Sequence, residues 1–426
     1  MDTIFALATV RGRSGVAIVR ISGPEAFAVA EALSGSLPDV GRPGLRTIRD
    51  RDAGIIDEAL VLTFRAPRSF TGEDIVELHL HGSPAVISAV ERLLGETGKA
   101  RPAEAGEFTR RALMNDKLDL AQVEGLGDLL SAETEAQRKQ AMRLLQGQLG
   151  ARATEWRGRL LRAAALIEAT IDFADEEVPV DVSPEVASLL VEVADSLSRE
   201  IEGSRVAERV RDGFEVALLG APNAGKSTLL NYIAGRDVAI TSEIAGTTRD
   251  ILEVRLDLHG IPVTMLDTAG LRVSQDAIER IGVERTRTRA ADADLRIFLL
   301  SAGESPPEEL LQEGDIVISG KSDLTGDGVS GKTGAGVDTL LHRVHDVLSD
   351  RMQGIVTATH QRHRAAMIEA TRSLSVATDL LEQMSETPEL AAEHVRDAMR
   401  ALDSLTGRID VEAILGEIFA SFCIGK

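Results

Sequence analysis

Gly220-Ala221-Pro222-Asn223-Ala224-Gly225-Lys226-Ser227 is a Gly-x-x-x-x-Gly-Lys-Ser stretch, and its flanks decide how the middle of the chain is read. Phe214–Leu219 before it is apolar apart from Glu215 and predicts a short buried strand, while Thr228-Leu229-Leu230-Asn231 after it opens a helix. In that setting the glycines let the backbone curl so that its N–H groups and the helix N-terminus face phosphate oxygens. Lys226 adds positive charge over the β- and γ-phosphates, and the Ser227 hydroxyl is placed to ligate Mg²⁺. A glycine-rich turn without a ligand is the plainer alternative, but strand, loop and helix together point to a nucleotide-binding loop.

Working outward, residues 213–349 alternate strand and helix signals. Val254, Leu256 and Leu258 alternate with Glu253, Arg255 and Asp257; His259-Gly260 then turns the chain into Ile261–Leu266, a hairpin. Leu295–Leu300 and Asp315–Ser319 read as further buried strands. The pattern predicts a mostly parallel sheet with one antiparallel edge, covered by helices. Asp267-Thr268-Ala269-Gly270 ends the second hairpin strand, where Asp267 is placed to hold Mg²⁺ through water and the Gly270 N–H to sense a γ-phosphate. Between the two motifs, Glu243-Ile244-Ala245-Gly246-Thr247-Thr248-Arg249-Asp250 offers paired threonines to a metal once the γ-phosphate orders the loop. Gly320-Lys321-Ser322-Asp323 follows the last strand. Guanine presents N1–H and its 2-amino group side by side, and the Asp323 carboxylate accepts both, which favours GTP over ATP. Gly320 stands where Asn is usual, removing a side-chain tether to the phosphate loop, and Ser330-Gly331-Lys332 reads as the last base-contacting loop. Leu271 follows Gly270, so no glutamine orients water there.

The remaining regions frame this segment. Residues 1–117 are mixed: Thr3–Thr9, Val16–Ile21, Ala59–Phe64 and Ile75–Leu80 read as strands, and Ser83-Pro84 opens a helix to about Leu94. Glu77, His79 and His81 share one strand face, Val76, Leu78 and Leu80 the other. From 118 to 212 the chain reads as helix, with Leu145, Leu149, Trp156, Leu160 and Ile167 at helical spacing and, after Ser183-Pro184, a stripe of Val186, Leu190, Val193 and Leu197. A second helical tract, 350–426, carries Leu374, Ala377, Leu381 and Met384 inward and is interrupted at Pro388. Each tract is too narrow to bury its stripe alone, so the two are expected to pack as one bundle with the nucleotide domain inserted between them.

Composition narrows the setting. The 426 residues fit two to four domains, and 43% hydrophobic content supplies cores without any membrane-length apolar run. One cysteine, Cys423, excludes an internal disulfide, and the N-terminus lacks a secretory pattern, so a reducing cytoplasm is expected. A net charge of −21 argues against a broadly basic nucleic-acid surface. Arg285, Arg287 and Arg289, or His360-Gln361-Arg362-His363-Arg364, offer local basic patches, with solvated helix charges as the plainer reading.

With these motifs in hand the chain resembles the MnmE (TrmE) family of tRNA-modifying GTPases. The likeness rests on Pro222–Ser227, Ile244–Asp250 and Asp267–Arg272, and outside the nucleotide segment on Ser69-Phe70-Thr71-Gly72-Glu73-Asp74, Asn115-Asp116-Lys117-Leu118-Asp119-Leu120 and Phe422-Cys423-Ile424-Gly425-Lys426. It implies an N-terminal α+β folate-binding and dimerisation domain (1–117), a discontinuous helical bundle (118–212 and 350–426) and an inserted Ras-like P-loop GTPase domain (213–349).

The resemblance also implies an activity. Family members work as homodimers with the flavoprotein MnmG (GidA), in a heterotetramer or larger complex that supplies FAD. They place a carboxymethylaminomethyl or aminomethyl group on C5 of the wobble uridine of certain tRNAs, with carbon from 5-formyl- or methylene-tetrahydrofolate. By position, Arg20, Glu77, Lys117 and Lys426 resemble folate-site residues: Arg20, Lys117 and Lys426 suit the acidic tail, and Glu77 the pterin N–H groups. Asn223, Ser242, Ile244 and Thr247 resemble the K⁺ site that forms when two nucleotide domains meet, Ser227 and Thr248 the Mg²⁺ ligands, and Glu279 the catalytic glutamate that polarises water. The GTP-binding set then comprises residues 223–228, Ser242–Thr248, Asp267–Gly270, Lys321, Asp323 and Ser330–Lys332, including Ala224, Gly225, Thr228, Glu243, Ala245, Gly246, Thr268 and Ala269. Arg249 is read as ordering its loop, and Cys423 as a candidate nucleophile whose plainer role is to shape the folate site. The rival readings are an Era-like switch in ribosome assembly, for which no basic or aromatic module is evident, and a kinase-type ATP enzyme, which Asp323 disfavours.

Overall fold

The computed structural model describes residues 2–172, 182–240, 253–267, 292–301, 303–306, 311–352, 356–381, 388–408, 418–419, 422 and 425. They form two compact units, Met1–Gly127 with Leu402–Lys426, and Asp128–Ala401.

The first unit is built on six strands: β1 (Thr3–Leu7), β2 (Ser14–Ser22), β3 (Gly44–Arg49), β4 (Ile55–Phe64), β5 (Ile75–Gly82) and β6 (Ala100–Pro102). Their order is β3-β4-β5-β2-β1-β6, antiparallel except for the β1–β6 pair. Helices α1 (Ala26–Ser34) and α2 (Pro84–Glu96) pack on one face, where Val19, Ile21, Leu78, Val29, Ile87 and Val90 are buried together. Period-two alternation leaves Arg20, Glu77 and His79 on the other face. Ile4, Ala6 and Ala103 meet Phe108 of α3 (Glu107–Met114) in a small separate core. The four strands and the helix expected here are present. The elements absent from the sequence reading, α1, β3, β6 and α3, are short, and β3 and β6 are edge strands without a clean alternation. Helix α4 (Leu120–Ser131) follows. Its Val123 packs with Phe419 and Phe422, bringing the end of the chain into this unit.

In the second unit, α5 (Glu135–Leu145), α6 (Gln148–Asp172) and α7 (Ser183–Asp212) precede a five-stranded sheet of β7 (Phe214–Leu219), β8 (Glu253–Leu258), β9 (Ile261–Asp267), β10 (Leu295–Leu300) and β11 (Ile316–Ser319). The order is β11-β10-β7-β9-β8, and only the β8–β9 edge pair is antiparallel, as expected. Helices α8 (Lys226–Ala234), α9 (Ser322–Thr325) and α10 (Val337–Arg351) interleave with the strands, and α11 (Gln361–Leu381) and α12 (Pro388–Thr406) follow. Val186, Leu190, Val193 and Leu197 of α7 are all fully buried, and α7 packs along α6, from before the sheet, and along α11, from after it. A capping box starts α5: Gln137 N–H donates to Thr134 Oγ1 and Thr134 N–H to Gln137 Oε1. Ala136 N–H also donates to Gly260 O at the β8–β9 turn, tying the helices to the sheet.

Three readings need correction. Leu145 does not share the α6 stripe; it ends α5 and is half-buried. Strand β11 is not fully buried, because it is the sheet edge and Val317 is exposed. The 360–364 run is not solvated throughout: His363 is buried and accepts from Thr359 N–H, and His360 Nε2 lies 3.0 Å from Asp128, while Gln361 is exposed and Arg362 and Arg364 are half-buried. Arg285, Arg287, Arg289 and Met384 lie outside the described residues.

Candidate nucleotide and folate sites

At the end of β7 the chain passes so close to β10 that a Cβ on Gly220 would lie 2.2 Å from the Leu299 carbonyl oxygen, with φ at 149°. Glycine is required there by both space and backbone angle. The loop then turns through Asn223, exposed and left-handed at φ 64°, and buried Ala224 to Gly225, the N-cap of α8. Ser227 and Thr228 are exposed on the first helical turn, where N–H groups lack intrahelical acceptors. Lys226 is buried and folds back over the loop, its Nζ donating to the carbonyls of Gly220 and Ala221 at 2.7 and 3.0 Å. Burial pushes its ammonium below the ordinary lysine value, and the charge of Asp267 partly opposes this. Asp267 is buried at the end of β9, paired in register with Leu218 of β7. Parallel pairing therefore brings the phosphate loop and the second motif to one end of the sheet. These residues fit a triphosphate with Mg²⁺: open helix-terminal N–H groups, an ammonium, a hydroxyl and a carboxylate converge on one loop.

The base-reading loop is held at the same end. Gly320 N–H donates to Leu300 O, and a Cβ on Gly320 would lie 2.7 Å from the Ala224 carbonyl oxygen and 3.1 Å from Leu299 Cγ. The side-chain tether missing from the sequence is thus replaced by direct backbone packing on the phosphate loop. Lys321 is exposed in a left-handed conformation, and exposed Asp323 accepts from buried Ser330 Oγ at 2.8 Å. Ser330 Oγ in turn accepts from the N–H groups of Lys332 and Thr333. Gly331 packs on α8, where a Cβ would lie 2.4 Å from Leu229 N. Ser330 was read from sequence as a base contact; in the fold it also orients Asp323.

In the first unit Arg20 Nε donates to Glu77 Oε1 at 2.9 Å, and His79 Nε2 lies 3.3 Å from Glu77 Oε2. The Arg20 guanidinium also faces the rings of Phe70 and Phe108 at 5.6 and 5.7 Å. Arg20 and Glu77, read as serving the folate tail and the pterin, stand side by side as one ion pair in the fold. Together they offer donors and acceptors beside an aromatic ring, which fits a flat heterocycle. Exposed Lys117 lies across the Ser69–Asp74 turn, its Cγ and Cδ 3.3 Å from where a Gly72 Cβ would stand. That turn is tied down by Asn115 Nδ2, which donates to Thr71 O, and by Ser22 Oγ, 2.7 Å from Thr71 Oγ1. Gly425 packs against Leu7 at the end of β1, so the C-terminal motif reaches the strand that pairs with Arg20. Of the neighbours, His79 shares the strand face read from sequence and Phe70 lies within the Ser69–Asp74 motif, whereas Phe108 carries no sequence signal.

Ser242, Glu243, Ile244, Ala245, Gly246, Thr247, Thr248, Arg249, Thr268, Ala269, Gly270, Leu271, Glu279, Cys423 and Lys426 lie outside the described residues. No group of three or more metal-ligating side chains occurs among the described residues, and none of their helices is long and apolar enough to cross a membrane.

Comparison with known proteins identifies the family. The family described as GTP-binding protein TrmE N-terminus matches residues 3–117, and the MnmE helical domain matches residues 120–423. Proteins described as tRNA modification GTPase MnmE from Roseobacter denitrificans and Cereibacter sphaeroides are each 57% identical to this chain, over 432 and 430 residues, and one from Paracoccus denitrificans is 51% identical over 430. Each alignment covers 100% of both chains. A solved structure, the G domain of the T. maritima FeoB iron transporter, is 20% identical over 32% of this chain and 98% of its own, with a TM-score of 0.21 that carries no weight for the fold. Matched from end to end by these relatives and by both family models, the chain belongs to the MnmE family of tRNA modification GTPases.

Proposed function

We propose that the protein is a K⁺-stimulated GTPase that, with the flavoprotein MnmG, modifies C5 of the wobble uridine of certain tRNAs, using a tetrahydrofolate one-carbon donor. The observation that supports this most is identity over the whole length, N-terminal unit included, to relatives described as tRNA modification GTPases. In this reading residues 1–117 bind folate and dimerise, 118–212 and 350–426 form one helical domain, and 213–349 form the inserted GTPase domain, all in the cytoplasm. The packing of α7 with both α6 and α11 supports the discontinuous helical domain.

This reading assigns the following roles. GTP brings the scissile γ-phosphoryl bond. The first-turn N–H groups of α8 and the Lys226 ammonium, exchanging its two carbonyl partners for phosphate oxygens, stabilise charge on the phosphates. Mg²⁺ held by Ser227 and Thr248, with Asp267 behind its waters, would screen that charge further. Asp323, oriented by Ser330, selects guanine. Asn223, exposed and left-handed, is the described member of the K⁺ set, and Glu279 orients water. Arg20 and Glu77 hold the flat end of a folate, and Lys117 with the C-terminal Lys426 its acidic tail.

The test is mass-spectrometric analysis of wobble uridine in tRNA from a strain lacking the protein, complemented with wild type or Asp323→Asn. Loss of the modified nucleoside, restored by wild type only, is expected. An unchanged nucleoside profile in the deletion strain would refute the reading.

A further inference from the structure

One cleft of the second unit is lined by arginines although the chain is acidic as a whole. It lies among α5, α6, α7 and the segment before α11, has a volume of about 360 Å³, and is lined by Arg143, Arg152 and Arg199. That is within the range of small-ligand sites, about 300–1,000 Å³. Its lining includes one acid, Glu200, and that charge is already used. Glu200 is fully buried; one carboxylate oxygen pairs with Arg152, and the other accepts from both Thr357 N and Thr357 Oγ1 at 3.0 Å. Arg199 Nε donates to Asp195 O on its own helix, and its remaining donors, like those of exposed Arg143, have no side-chain acceptor among the described residues. Among the described residues the cleft thus carries two guanidiniums without a carboxylate partner, in a chain of formal net charge −21. The Glu200–Arg152 pair leaves its floor neutral, and Thr357 holds the second Glu200 oxygen.

We propose that this cleft binds phosphate groups of RNA, with Arg143 and Arg199 supplying the contacts and Arg152 holding the floor neutral. Planar guanidinium forks match phosphate oxygens in geometry and charge. A local positive cleft is also what a polyanion needs to approach a protein whose overall charge repels it. The choice of RNA rests on the function proposed above; the choice of phosphate rests on the cleft alone.

The structure supplies a reporter. Trp156, the single tryptophan, donates from Nε1 to Ser196 Oγ at 2.9 Å, and Ser196 lines the cleft. The experiment uses the full chain as wild type, Arg143→Glu/Arg199→Glu and, as a control at an exposed arginine that does not line the cleft, Arg372→Glu. Binding of a labelled tRNA transcript is measured by anisotropy across a salt series, and Trp156 emission is followed during titration with inorganic pyrophosphate. The expected result is at least a tenfold loss of tRNA affinity in the double variant. Its log–log salt slope should shrink by about 0.7–0.9 for each phosphate contact removed, with the control unchanged. Pyrophosphate should alter Trp156 emission in wild type and not in the double variant. If wild type does not bind tRNA yet shows the pyrophosphate response, the phosphate site stands and the RNA reading falls. Wild-type affinity and slope in the double variant, or identical Trp156 titrations in both proteins, overturn the proposal. Circular dichroism with retained basal GTP turnover keeps a folding defect from imitating the expected result.

Discussion

At the scale of single residues, Lys226 and Gly320 carry the most specific consequences. Lys226 is buried and donates to two carbonyls of its own loop, so its removal frees those carbonyls and takes away the charge that meets phosphate. Lys226→Ala is expected to weaken GTP binding about 10- to 100-fold, the equivalent of losing a charged hydrogen bond worth about 1.5–3 kcal/mol. Titration with a fluorescent GTP analogue checks this, and a change under threefold would show that Lys226 does not reach the phosphates. Gly320 gives a prediction of opposite sense to the usual motif. Restoring the customary side chain with Gly320→Asn drives a Cβ to 2.7 Å from Ala224 O, so it should destabilise by about 1–3 kcal/mol and weaken GDP binding. Denaturation and GDP titration of the variant test it; tighter binding would mean that the phosphate loop yields to admit the tether. Sequence comparison of the motif exposes the missing Asn but not what replaces it, because Ala224 and Gly320 meet only when β10 lies between β7 and β11.

At the scale of elements, α3 is anchored by ion pairs that its own sequence does not announce. Arg111 is almost fully buried and donates to Glu107 within the helix, to Glu73 and to Asp2, while Arg101 from β6 also grips Glu107. Burial alone would raise the Glu107 carboxyl, but the Arg101 and Arg111 guanidiniums outweigh it and hold it below the ordinary value. Because the folded carboxyl titrates lower than the unfolded one, its stabilisation is complete above the ordinary carboxylate range and is lost as pH falls through the depressed folded value. Protection factors of the β1 and α3 amides, exchange rates corrected for their intrinsic pH dependence, should stay flat down to mildly acidic pH and fall below it. In Glu107→Gln they should be lower already at neutral pH and respond less to acid; the same pH profile in both proteins would exclude the network as the anchor. Helix existence was readable where long stripes repeat, as in α7. It was not readable for α3 and α1, whose eight or nine residues give a periodic signal little room.

At the scale of the whole molecule, residues near the two ends of the chain share a compact unit. Phe419 is buried with Val123 and packs so closely on Gly106 that a Cβ there would lie 2.7 Å from its ring. Phe419→Ala is therefore expected to destabilise the first unit by about 3–5 kcal/mol although it lies far along the chain from the sheet. Exchange protection of α4 and β1 is the measurement; unchanged protection would show that the C-terminal segment adds nothing to this core.

What the sequence determined by itself is what short-range physics encodes. Alternation in β8, the helical stripe of α7 and the strand–glycine loop–helix at 214–230 each follow from constraints within a few residues, and they named the nucleotide motifs in their order. What only the tertiary structure decided is every property that depends on register or on segments far apart in sequence: the Arg20–Glu77 pair across β2 and β5, Ser330 supporting Asp323, the packing of Gly320 on Ala224, and three arginines of three helices around one cleft. Such contacts form because strand pairing and core packing place the residues side by side, and no local periodicity records which distant neighbour that will be.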